Sequence, residues 1–137
     1  MLHKLANEGE LFIVEVFLPF KKIRREHSVK LVLDTGAAMT IVDTNIINYL
    51  GYSARDDGIR RSSLDGAGGK SVGYVIRAPN FRCLNFELTD FEIACHDMNT
   101  RLGVAGLLGM NFLKLFRLDI DFNTGQINKI EKSLKGV

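Results

Sequence analysis

KLVLDTGAAMTI, residues 30–41, carries an aspartate to the end of an apolar run and then returns at once to apolar residues. Leu31, Val32 and Leu33 precede Asp34, and Ile41 and Val42 follow the loop. An exposed turn can use Asp-Thr-Gly without such flanks. A carboxylate drawn out of water is costly unless it is hydrogen-bonded or paired, so the chain must supply something that holds Asp34. Gly36, with no Cβ, lets backbone amides approach closely enough to donate to that carboxylate. The Thr35 hydroxyl can donate and accept, and so can tie the turn to a neighbouring loop. The result is one rigidly held carboxylate between two strands. One carboxylate is a weak catalyst by itself. Two that share a proton supply an acid and a base together, because like charges that close cannot both ionise.

Outside this loop the sequence is mostly strand-like. LFIVEVFLPF (11–20) is rich in β-branched and aromatic residues, and SVKLVLDTG (28–36) and AMTIVD (38–43) are predicted as further strands. TNIINYLGY (44–52) changes period: Ile46, Ile47 and Leu50 share a helical face, with Thr44 placed to cap its start and Gly51 its end. RRSSLDGAGGKSVGYVIR (60–77) predicts two strands around a Gly-rich turn, and FRCLNFELTDFEIACHDM (81–98) two more. GLLGMNFLKLF (106–116) is a short apolar stretch followed by a helical turn or two, and FRLDIDFNTGQINKIE (116–131) alternates around Asn123-Thr124-Gly125 as a hairpin. An all-β, barrel-like fold with one or two short helices results, in a single domain over residues 1–137.

Composition narrows the function. Hydrophobic residues make up 46% of the 137 and charged residues 25%, an ordinary globular balance. A net charge of +2 gives no argument for nucleic acid. The basic run Lys21-Lys22-Ile23-Arg24-Arg25 lacks a stacking aromatic and is predicted as a solvated loop. Cys83 and Cys95 have neither metal-ligand nor redox spacing and are expected to be buried thiols. His3, His27 and His96 are scattered, so no metal site is expected. Glu8, Glu10 and Glu15 interrupt the first residues, which therefore do not resemble a signal peptide, and no apolar run is long enough for a membrane span. These features point to a cytoplasmic chain without membrane or cofactor.

LVLDTGAAMTIVD resembles the active-site signature of the retropepsin-like aspartic proteases: an apolar run, Asp-Thr-Gly-Ala, then Thr and an apolar pair. The second signature of that family, two apolar residues and a glycine before a short helix, is matched by Leu107, Leu108 and Gly109. FRLDIDFNTGQI also resembles the segment after this motif in small bacterial members. The resemblance implies a single-lobe, closed-barrel fold acting as a two-fold homodimer on polypeptide substrates. It implies that Asp34 is the catalytic aspartate, that Thr35 reaches across to the partner's loop, and that Gly36 completes the turn. Leu107-Leu108-Gly109 packs beneath that loop. Asp65-Gly66-Ala67-Gly68-Gly69 stands where the family places its flap, with Gly66, Ala67, Gly68 and Gly69 at the substrate-binding turn. Ala37 replaces a possible hydroxyl donor to the ionised carboxylate, which favours action at mildly acidic to near-neutral pH.

The chain has one Asp-Thr-Gly. Asn123-Thr124-Gly125 lacks a carboxylate and is accounted for by the hairpin turn. The second carboxylate must then come from a second copy, as a two-fold axis would arrange. Three other readings compete. Asp34, Gly36 and Thr40 also fit the phosphate-binding pattern of actin-like and sugar-kinase folds, but 137 residues cannot hold two such lobes. Gly68-Gly69-Lys70-Ser71 resembles a P-loop ending but lacks the upstream glycine and the following helix. Ser62-Ser63 has no nearby His–Asp arrangement. The remaining alternative to a peptidase is a dimer of the same fold that binds a peptide or protein partner without cleaving it.

Overall fold

Strand formation follows the alternation of the sequence. The computed structural model describes residues 2–4, 6–8, 11–66, 69–98 and 103–132. Its strands are β1 (Leu2–Lys4), β2 (Ala6–Glu8), β3 (Leu11–Pro19), β4 (Glu26–Leu33), β5 (Ile41–Asp43), β6 (Arg60–Gly66), β7 (Gly69–Cys83), β8 (Phe86–His96), β9 (Gly106–Leu108), β10 (Phe116–Asp121) and β11 (Gln126–Lys132). Along β3, Val14, Val16 and Leu18 point inward and Glu15 outward; along β4, Val29, Leu31 and Leu33 do the same against Lys30. Three short helices are described: α1 (Thr44–Tyr49), α2 (Ala54–Asp57) and α3 (Met110–Leu113). None of the described helices is long and apolar enough to cross a membrane.

Eight strands form one sheet in the order β2-β3-β4-β9-β5-β8-β7-β6, and three form a second, β1-β11-β10. Pairing of Val16 with Cys83 and Phe17 with Arg82 brings β7 back to β3, so the larger sheet curls round on itself. The core lies inside this curl, where Phe81 packs against Phe91 and Phe112 at ring separations of 4.4 and 5.7 Å. The crossing that matters for the site is β9. It runs parallel to β4 (Leu33↔Leu108) and antiparallel to β5 (Ile41↔Leu107), wedged between two strands that are consecutive in sequence. Gly106 makes that wedge possible. Its φ is +156°, and a Cβ there would lie 1.8 Å from the Ile41 carbonyl oxygen.

The structure departs from the sequence reading in several places, one being the additional one-turn helix α2, which Ser53 caps by accepting the Asp56 amide. β5 starts at Ile41 rather than at 38, because the backbone at Ala37 and Ala38 bonds to α3 instead of to a neighbouring strand. Asp43, not Thr44, is the residue before α1, and it makes no side-chain cap; the Thr44 hydroxyl donates to Asp97 instead. Residues 81–98 do not hold two new strands. Residues 81–83 finish β7, Leu84 and Asn85 form the turn with φ of 53° and 64°, and β8 is one strand kinked at Asp90 (φ 51°). Two consecutive positive φ values are what a tight two-residue hairpin turn requires. That kink is why the apolar alternation at Phe86 and Leu88 shifts phase at Phe91 and Ile93. Lastly, β1 and β2 come from a segment with no strand assigned from sequence, and pair with β11 and β3. The hairpin at 116–131 forms as expected, with Gly125 at φ 72° and its amide on the Asp121 carbonyl at 2.8 Å.

Candidate active site

Asp34 follows the last residue of β4, on the loop that leads to β5. Its amide donates to the Leu108 carbonyl at 3.0 Å, so β9 fixes its backbone. Its carboxylate is half-buried, and Oδ1 accepts the Gly36 amide at 2.8 Å. Thr35 and Gly36 are exposed and Ala37 is half-buried. The far side of the loop is tied to α3: Met110 N donates to Ala37 O at 2.7 Å and Asn111 N to Ala38 O at 3.0 Å. Gly109 stands directly under this crossing, where a Cβ would lie 2.4 Å from Met39 O and 2.8 Å from Ala37 O. Asp34, Thr35, Gly36, Ala37, Leu107, Leu108 and Gly109, named from two distant stretches, are thus one assembly.

Two further residues complete it: Thr40, which the sequence reading meets only within motifs and gives no role in the site, and Asn111, which it does not single out. Thr40 is wholly buried. Its amide and its hydroxyl both donate to Asn111 Oδ1 at 2.8 Å, while the hydroxyl accepts the Gly109 amide at 3.1 Å. Asn111 Nδ2 donates in turn to the Glu92 carbonyl at 2.9 Å, and Ala94 N donates to Thr40 O at 2.9 Å. One amide side chain therefore joins the Asp34 loop, α3 and β8. The signal available in the sequence was that a Thr and an Asn each sit inside apolar runs, where each needs a partner. Asn111→Ala would leave the Thr40 amide, the Thr40 hydroxyl and the Glu92 carbonyl short of partners. It is expected to cost about 2 kcal/mol of stability, read as a lower denaturation midpoint.

The glycine-rich hairpin meets this assembly through apolar packing. Gly66 and Gly69 pair at its far end, and Ala67 and Gly68 lie outside the described residues. Leu64 on β6 and Val75 on β7 share a small apolar cluster with Ile41, Ala94, Leu107 and Met39 of the Asp34 loop. Cys83 and Cys95 are buried and free. Burial pushes both thiols up, Cys95 to about 12, so neither is a nucleophile at neutral pH. Among the described residues, no group of three or more His, Cys, Asp and Glu side chains is placed to hold a metal ion.

A curled single-lobe sheet with a strand wedged between β4 and β5, and an Asp-Thr-Gly loop seated on that strand, is a retropepsin-like fold. A retropepsin-like aspartic protease from Rickettsia conorii superposes with a TM-score of 0.65 at 19% identity, over 93% of this chain and 95% of that one. The EIAV protease in complex with the inhibitor HBY-793 superposes with a TM-score of 0.51 at 19% identity, over 74% of this chain and 84% of that one. Among curated proteins, none matches the sequence. The aspartyl protease family profile matches residues 22–112, more than half of the chain. The chain belongs to the aspartyl protease family.

Proposed function

We propose that this chain is an aspartic endopeptidase that works as a homodimer. The observation that carries the reading is the hold on Asp34: a half-buried carboxylate, bonded by the Gly36 amide, on a loop anchored to β9 and α3. Such anchoring is what acid–base chemistry needs, because a group that is already in place adds little reorganisation to the barrier. Each chain has one Asp-Thr-Gly, so a two-fold axis supplies the second carboxylate. Water between the two Asp34 side chains attacks a peptide carbonyl. The ionised carboxylate takes the proton, and the protonated one donates to the developing oxyanion. Thr35, exposed beside Asp34, reaches to the partner's loop. Leu107, Leu108 and Gly109 support the turn from below.

Substrate is an extended polypeptide that adds backbone hydrogen bonds beside the β6–β7 hairpin. This hairpin acts as a flap, with Gly66, Ala67, Gly68 and Gly69 at its tip. No cofactor takes part. Two buried free thiols suit a reducing compartment such as the cytoplasm.

The test is hydrolysis of a peptide library at a series of chain concentrations. Specific activity should fall as dilution passes the dimer dissociation constant. Activity that follows a monomer in sedimentation would overturn the shared pair of carboxylates. A folded dimer that binds extended peptides and cleaves none would favour the binding-only reading.

A further inference from the structure

We propose that His96 is a positioning residue that pins the β6–β7 hairpin where it packs against the Asp34 loop, and so sets how tightly an extended peptide is held. The proposal rests on the peptidase reading above for its functional readout, though the pin itself is a structural claim. His96 is the last residue of β8 and is wholly buried. Its Nε2 lies 2.9 Å from Ser62 Oγ and its Nδ1 lies 3.0 Å from Ser71 Oγ. Ser62 is on β6 and Ser71 on β7, so one ring grips both strands of the hairpin. The two serines are not cross-strand partners. Ser62 faces Gly73 and Ser71 faces Leu64, and the ring spans the one rung between them, Ser63↔Val72.

The grip falls where the hairpin parts from the sheet. Backbone pairing between β7 and β8 runs out at Tyr74↔Cys95, and from Gly73 to the tip β7 pairs with β6 only. His96 binds the hairpin at that point. Gly73 provides the room: a Cβ at that residue would lie 2.9 Å from His96 Nδ1 and 1.9 Å from the Cys95 carbonyl oxygen. The backbone that carries the ring is held by the body of the fold, because His96 of β8 pairs with Asp43 of β5. Burial lowers the His96 pKa, against the opposing pull of Asp97, and so favours the neutral ring. One nitrogen therefore donates and the other accepts, and the two hydroxyls orient to match. Two side-chain hydrogen bonds thus link a fixed strand to a projecting hairpin. That hairpin also carries Leu64, which shares an apolar cluster with Met39 of the Asp34 loop.

The experiment compares wild type, His96→Phe and the double variant Ser62→Ala/Ser71→Ala in the full chain. Phenylalanine fills the ring's space and removes both bonds; the serine variant removes them from the hairpin side if His96→Phe does not fold. Amide hydrogen exchange over 60–66 and 69–75 should become roughly tenfold faster. KM for an extended peptide should rise roughly tenfold with kcat nearly unchanged, and His96→Gln, which can keep one bond, should fall between. Unchanged hairpin exchange in a folded variant would overturn the pin, whether or not the chain cleaves peptides. Faster exchange with KM and kcat both unmoved would reduce His96 to a structural residue and overturn the positioning role. A wild type that neither cleaves nor binds extended peptides, while hairpin exchange still responds to His96→Phe, would overturn the peptidase reading and the positioning role with it, leaving the contact as architecture.

Discussion

Asp34→Asn should abolish peptide hydrolysis while leaving the fold in place. The amide has nearly the shape of the carboxylate, and its oxygen can still accept the Gly36 amide that now bonds Oδ1 at 2.8 Å. What it cannot do is take a proton from water, and in a two-fold assembly both members of the pair lose that ability at once. A loss of roughly three to four orders of magnitude in kcat is expected, the upper range for removing acid–base catalysis. The stability cost should be about 1 kcal/mol, for a charged hydrogen bond replaced by a neutral one. Turnover on a peptide substrate, with sedimentation and a denaturation curve on the same sample, checks all three statements. Undiminished turnover by a pure sample would remove Asp34 from the mechanism.

Gly109→Ala should have the next largest effect, and it should strike stability and activity together. A Cβ at Gly109 would come 2.4 Å from Met39 O, 2.5 Å from Met39 C and 2.8 Å from Ala37 O. All three are backbone atoms of the Asp34 loop, which cannot swing aside as a side-chain end could. Relief requires the loop to lift from α3, breaking Met110 N to Ala37 O and Gly109 N to Thr40 Oγ1. Overpacking of this kind costs about 3 kcal/mol. A loop displaced by as little as 1 Å from its working geometry costs roughly a hundredfold in rate. The two readouts separate as temperature falls: the folded fraction recovers, while kcat per folded chain stays low. Wild-type kcat in the folded fraction would show that the loop tolerates the methyl group without moving.

Much of the site is legible in the sequence itself. Asp34, Thr35, Gly36 and Ala37 are consecutive, and the apolar strands that anchor their loop are their sequence neighbours, so a local pattern suffices. Leu107, Leu108 and Gly109 are legible for a similar reason, as a short apolar strand broken by a glycine before a helical turn. Strand content follows from β-branched and aromatic richness at 11–20 and from alternation at 116–131. Alternation misleads at 81–98, where a positive φ at Asp90 changes the phase within one strand and mimics a break. Thr44 misleads as a helix cap because its hydroxyl has a stronger partner, Asp97, just past the far end of β8.

The sequence by itself determined the protein's family and pointed to Asp34 as the candidate for its chemistry, because both readings rest on short contiguous stretches. Tertiary structure alone decided what holds those stretches together. Thr40 and Asn111 are 71 positions apart, and Ser62 and His96 are 34 apart. Neither pair has a spacing that any local period could reveal. They meet because β9 inserts between β4 and β5, and because β7 leaves β8 at Gly73, both allowed by glycines where a Cβ would strike backbone. Once the chain closes that way, a buried amide and a buried imidazole must each find partners for their polar atoms, and the partners they find are the loop of Asp34 and the β6–β7 hairpin.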